Sequence, residues 1–153
     1  MGRVRTFHQQ FDRVTRWYDR FAQIDSGKVH DMSTDSYEDE VYSFFLNCYH
    51  LKDWIINDPT VSVDKTTVEN FINGSQELRL CADICNGLKH MVRNRQRSGK
   101  SPEFGKRDFA VQMGGQQQTI SVKYTIETNT GSIDAFALAT NCYVAWQSFI
   151  ASI

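Results

Sequence analysis

Between Val4 and Phe21, bulky apolar residues fall at Val4, Phe7, Phe11, Val14, Tyr18 and Phe21, each three or four positions after the last. Only a helix places such a set on one side, because its period of about 3.6 residues alternates between those two spacings. Arg13, Arg16 and Arg20 lie on the opposite side. The stripe has to be buried against a neighbour. It is too short to insist on a coiled coil, so packing into a helical bundle is the expected setting. Gly27 and the polar run through Thr34 end the helix.

A second helix is expected to open at Ser36 or Asp35, whose side chains suit an N-cap, with the acids Glu38 to Glu40 at the positive end of its dipole. It stops before Pro59. Val41, Phe44, Phe45, Cys48, Leu51 and Ile55 form one face, and Ser43, Asn47, His50, Asp53 and Asn57 the other. A third helical region has a prelude in which Thr66 and Glu69 fit a capping box. Asn73-Gly74 breaks it, and Ser75 can cap the main segment. There Leu78, Cys81, Ile84, Cys85, Leu88 and Val92 occupy one arc, and Asp83, Asn86 and His90 the opposite one.

Residues 93–107 read as a basic loop, expected to be mobile, with Pro102 and two glycines. Residues 108–128 alternate in the strand manner around a Gly-Gly turn, most clearly at Ile120, Val122, Tyr124 and Ile126, and read as a β-hairpin. A lone hairpin is marginal in water, so it should pack on the bundle or pair with another chain. Ser132 is expected to cap a last helix that is apolar almost all round. That implies burial on several sides and makes the helix a candidate dimer interface. The expected fold is therefore mainly α, a four- to five-helix bundle with a β-hairpin inserted before the last helix, in one domain over 1–153.

The 153 residues suffice for a proper core. The net charge of −1 hides opposed blocks: six Lys/Arg against three Asp/Glu in 1–30, one against seven in 31–58, and seven against one in 89–107. Such segregation suggests complementary surfaces, within the chain or between chains. No apolar run reaches the roughly 18–20 residues of a membrane span. The N-terminus is polar and unlike a secretory signal. Gly2 and Thr6 fit a loose myristoylation pattern, which the helical stripe explains without a lipid. Cys48, Cys81, Cys85 and Cys142 fall in helices without the spacing of a disulfide scaffold, as expected of reduced thiols in a cytoplasmic protein. Cys81 and Cys85 could meet a zinc ion only with His90, which points away from them, so neither metal nor cofactor is expected.

The chemistry centres on Asp83, Asn86 and His90. Asn86 and His90 in "CNGLKH", together with the helix order, resemble the HEPN family. That family is built on a four- or five-helix bundle, and many members are dimeric RNA-cleaving enzymes. Its motif carries an Arg where Cys85 stands here. The resemblance implies His90 as general acid or base, with a phosphate-stabilising cation supplied from elsewhere, Arg93, Arg95 or Arg97. If the second and third helices pack as neighbours, His50 and Asp53 could join the other three in one groove. The loop cations Arg93, Arg95, Arg97 and Lys100 are the expected phosphate contacts. "GKS" at 99–101 lacks the first glycine and the preceding strand of a P-loop. The leading expectation is an HEPN-like domain that binds or cleaves RNA without metal. The rival is a non-catalytic protein-interaction module, and a homodimer is expected in either case.

Overall fold

The computed structural model describes residues 2–89, 97–100, 102–112 and 118–153. Five helices are present among them, α1 (Phe7–Ser26), α2 (Thr34–Ile56), α3 (Lys65–Asn73), α4 (Gln76–Lys89) and α5 (Ala135–Ala151). Four strands accompany them, β1 (Lys28–Val29), β2 (Glu103–Gln112), β3 (Thr119–Thr128) and β4 (Gly131–Asp134). The strands form one antiparallel sheet in the order β1-β3-β2, and β4 also pairs with β3. Among the described residues no helix is long and apolar enough to cross a membrane.

The fold is mixed α and β, which corrects the expectation of a helical bundle with one inserted hairpin. The sheet is a packing layer of its own. Ile120, Val122, Tyr124 and Ile126 of β3 are buried, and the strand lies on α1 and α5. The two unforeseen strands are short and polar. β1 follows Gly27, whose φ of 129° turns the chain back from α1 toward β3. β4 takes Ser132 into the sheet, and Asp134 is the residue that caps α5, accepting from Ala137 N at 2.9 Å. β2 starts at Glu103, inside the expected basic loop, with a register irregularity between Phe104 and Arg107.

The α1 stripe faces the core as its spacing requires. Phe7, Val14 and Phe21 are buried and Phe11 and Tyr18 partly so, while Val4 lies before the helix at 61% exposure. The helix starts at Phe7 because a distant carboxylate satisfies its first amide. Phe7 N donates to Asp58 Oδ2 at 2.7 Å, and Thr6 makes no side-chain cap bond. Asp58 also accepts from Thr60 N at 2.7 Å and Thr60 Oγ1 at 2.6 Å. Burial alone would raise this carboxyl, but those hydrogen bonds outweigh it and hold Asp58 below its ordinary value. Ser33 caps α2, and Asp64 caps α3 in place of Thr66.

The apolar circumference of α5 is satisfied within the chain. Leu138, Ala139, Cys142, Trp146 and Phe149 are buried. Tyr143 stacks on Tyr18 with ring centroids 4.6 Å apart, and Phe149 on Phe71 at 4.6 Å. Val144, at 54% exposure, is the one large apolar residue that α5 leaves well exposed.

Candidate functional site

The described members of the expected groove differ in setting, Asp83 being buried and His50 and Asp53 exposed. Asp83 is fully buried on α4, not on an outer arc. Its carboxylate accepts from Arg97 N at 2.7 Å, from Ser98 N at 2.9 Å and from Ser98 Oγ. The 97–98 backbone is thus laid over α4 and anchored there, which buries the arc that a wheel alone leaves in water. Leu78 and every residue from Leu80 to Cys85 are buried, so α4 is enclosed on both sides. Asn86 is half-buried one turn on. His90, Arg93 and Arg95 lie outside the described residues.

His50 and Asp53 sit on the exposed side of α2. Asp53 borders a cavity of about 400 Å³ with Arg5, Trp54, Asn57 and Asp58. Arg13 covers the Trp54 ring at 5.1 Å. Among the described residues, no hydrogen bond joins any two of His50, Asp53, Asp83 and Asn86. Acid–base catalysis needs its groups within about 3 Å of a shared proton or one water away.

The cations of the basic segment that are described also have partners inside the chain. Arg97 Nη1 pairs with Glu69 Oε2 at 2.8 Å and donates to Asn73 Oδ1 at 3.3 Å. Lys52 Nζ holds the other Glu69 oxygen at 3.2 Å. Burial opposes the ionised form of both partners, but Arg97 and Lys52 outweigh it and keep Glu69 below its usual range. Glu69 in turn raises Arg97. Lys100 Nζ donates to Thr130 Oγ1 at 3.0 Å. Glu69 was read as a capping residue; its role as a counter-ion has no local signal, because both its cations come from other segments.

A different feature stands out at β2. Its beginning is clamped to α2: Arg107 Nη1 meets Glu38 Oε2 at 2.9 Å, Tyr42 donates to Glu38 Oε1 at 2.8 Å, and Phe104 packs edge-on to Tyr42 at 4.7 Å. Beyond Arg107 the strand leaves the helices, and residues 107–112 are all exposed. Phe109 pairs with Val122 and Val111 with Ile120. Directly opposed residues share a face, so Phe109 and Val111 point to the same side as the buried core residues of β3. Each is nevertheless 47% exposed. Among the described residues β2 has β3 as its sheet neighbour. The sequence signal was the alternation in "FAVQM" and the rule that a hairpin needs a partner.

Scans of the chain against protein-family models, curated proteins and solved structures return no match.

Proposed function

We propose that the chain is a non-catalytic protein-interaction module that self-associates through the exposed Phe109–Val111 stretch of β2. The observation that carries this reading is the apolar ledge of Phe109 and Val111, each 47% exposed, on a strand at the end of the sheet order among the described residues. An edge strand is a template for another strand, and soluble proteins normally blunt it with charge, proline or a covering element. Here the charged residues Arg107 and Asp108 precede the exposed run, the Arg107 guanidinium lying 5.9 Å over the Phe109 ring, while Ala110 and Val111 carry neither charge nor proline.

A second copy fits this stretch by symmetry. If two β2 strands pair antiparallel with Ala110 on the two-fold axis, Phe109 of each copy opposes Val111 of the other. Four apolar side chains then cluster on one face of a sheet that continues through both subunits. The different settings of His50, Asp53 and Asp83 support binding over RNA cleavage. Four unoxidised, buried cysteines suit a reducing compartment, and we assign the protein to the cytoplasm.

The test is the mass in solution by sedimentation equilibrium, for the native chain and for Phe109→Lys/Val111→Lys. The native chain is expected to be a dimer at micromolar concentration, with association weakened about 30-fold or more in the variant. A native chain that stays monomeric at roughly 100 times that concentration would refute the interface. RNA cleavage by the native protein and not by His90→Ala would replace this reading with the enzymatic one.

A further inference from the structure

The four cysteines of the chain, dispersed in sequence, converge where α2, α4 and α5 meet. The sulfurs of Cys48, Cys81 and Cys142 all lie within 4.8 Å of one another, and each residue is at most 1% exposed. Cys85, one turn from Cys81, donates to Phe45 O at 3.1 Å, and Cys81 donates to the same carbonyl at 3.4 Å. Cys142 donates to Glu77 O at 3.3 Å. Cys142 is pushed up by burial and by its sulfur neighbours. Cys48 is favoured as an anion by Cys142, yet burial and Cys81 still carry it well above its ordinary value.

Small hydrophobes would fill this space equally well, so packing alone does not account for a second observation. Trp146 is 1% exposed, and its indole Nε1 has no hydrogen-bond partner. A buried donor left unpaired costs about 1–3 kcal/mol. Trp146 stands one turn after Cys142 on α5, so this unpaired donor belongs to the same helix as one of the three sulfurs.

We propose that Cys48, Cys81 and Cys142 form a three-sulfur site for one soft, thiophilic cation, of the monovalent copper or divalent zinc class, at the junction of α2, α4 and α5. An all-sulfur donor set selects soft ions over magnesium, calcium or manganese. Three converging sulfurs suit trigonal coordination by monovalent copper. Zinc would need a fourth ligand, for which Cys85 is the neighbouring candidate. Each sulfur that binds as thiolate exchanges its S–H proton for a sulfur–metal bond, with no change of oxidation state. A dry core tolerates little net charge, so the protons released should match the charge of the ion, one for copper and two for zinc.

The test uses full-length protein refolded anaerobically under reducing conditions with stabilised Cu⁺ or with Zn²⁺, because the buried sulfurs are closed to the folded surface. One ion per chain should remain after desalting. The melting temperature should rise by roughly 5–10 °C, and calorimetry in two buffers should give the proton count. Cys48→Ala, Cys81→Ala and Cys142→Ala should each lose the rise. Cys85→Ala should keep it for copper and lose it for zinc. X-ray absorption of the loaded native chain should count three sulfurs for copper and four for zinc, a readout that needs no variant to fold. No retained ion with either metal, a shell of nitrogen and oxygen only, or an undiminished rise in the three alanine variants would overturn the site.

Discussion

Replacing Asp83 by asparagine separates a structural anchor from a catalytic group. The Asp83 carboxylate is fully buried and accepts two main-chain amides, at 2.7 and 2.9 Å, and the Ser98 hydroxyl. Hydrogen bonds to a charged group contribute about 1.5–3 kcal/mol each. Asparagine keeps one acceptor oxygen and turns an NH₂ group toward the remaining donors, so one or two of these bonds are lost. A neutral amide costs less to bury than a carboxylate, which returns part of the loss. The net expectation is about 2–3 kcal/mol, a large share of the roughly 5–15 kcal/mol that holds a domain together. With a urea slope of about 2 kcal/mol per molar, the midpoint should fall by about 1–1.5 M at unchanged slope. If the 97–98 segment lifts off before the domain unfolds, the freed amides find water and the global loss is smaller. The Arg97 and Ser98 amides would then lose hydrogen-exchange protection first, a signature specific to the anchor. A loss under about 0.5 kcal/mol with those two amides still protected would refute the assignment, since surface changes fall in that range.

Acid should destabilise the protein through Asp58 and Glu69, both of which the fold holds below their ordinary values. A depressed carboxyl contributes its stability above the unfolded-state pKa of about 4 and loses it as pH falls through the folded value. The urea midpoint should therefore hold from pH 7 to about 5 and drop below about 4, less steeply in Asp58→Asn; a midpoint that rises on acidification from 5 to 3 would contradict this. Along the α1 stripe, Phe21→Ala should cost about 3–5 kcal/mol and Val4→Ala less than about 0.5, because Phe21 is buried and Val4 precedes the helix at 61% exposure. Equal losses at both positions, read by denaturant unfolding, would argue that the stripe continues through residue 4.

Most helices were legible because a 3.6-residue period over many positions is hard to produce otherwise, and α1 and α4 follow it closely, while α5 was legible from its long, almost wholly apolar run. β3 was legible from Ile120, Val122, Tyr124 and Ile126. The sheet was not, because β1 has two residues and β4 four, too few for any period to register. Helix starts shifted where a capping group comes from afar, as Asp58 does for Phe7, or where a neighbour competes, as Asp64 does with Thr66. The burial of Asp83 escaped the sequence in the same way. A wheel sorts residues by direction on one helix, and Asp83 points where it was expected to point. What lies in that direction is the chain fourteen residues later, a contact that no periodicity reports. The cysteine junction was hidden for the same reason, since Cys48 and Cys142 are brought together by tertiary packing alone.

The opposed charge blocks have a use that bears on function. Arg107, in the basic stretch, meets Glu38 and lies 3.9 Å from Asp35 at the acidic start of α2, pinning the beginning of β2 to the helix layer. Lys123 on β3 holds Asp25 at 2.7 Å near the end of α1, and Arg97 holds Glu69 on α3. The segregation thus joins elements of one chain, as complementary blocks can, instead of building a field of one sign. A phosphate approaching Arg97 or Arg107 would have to displace a carboxylate already in place, which offsets most of the gain from counterion release. The same pairs fix where β2 leaves the helices, immediately after Arg107, and so determine that Phe109 and Val111 are the residues left uncovered. The electrostatics that disfavour these two arginines as an RNA contact also leave uncovered the stretch that the proposed self-association would use.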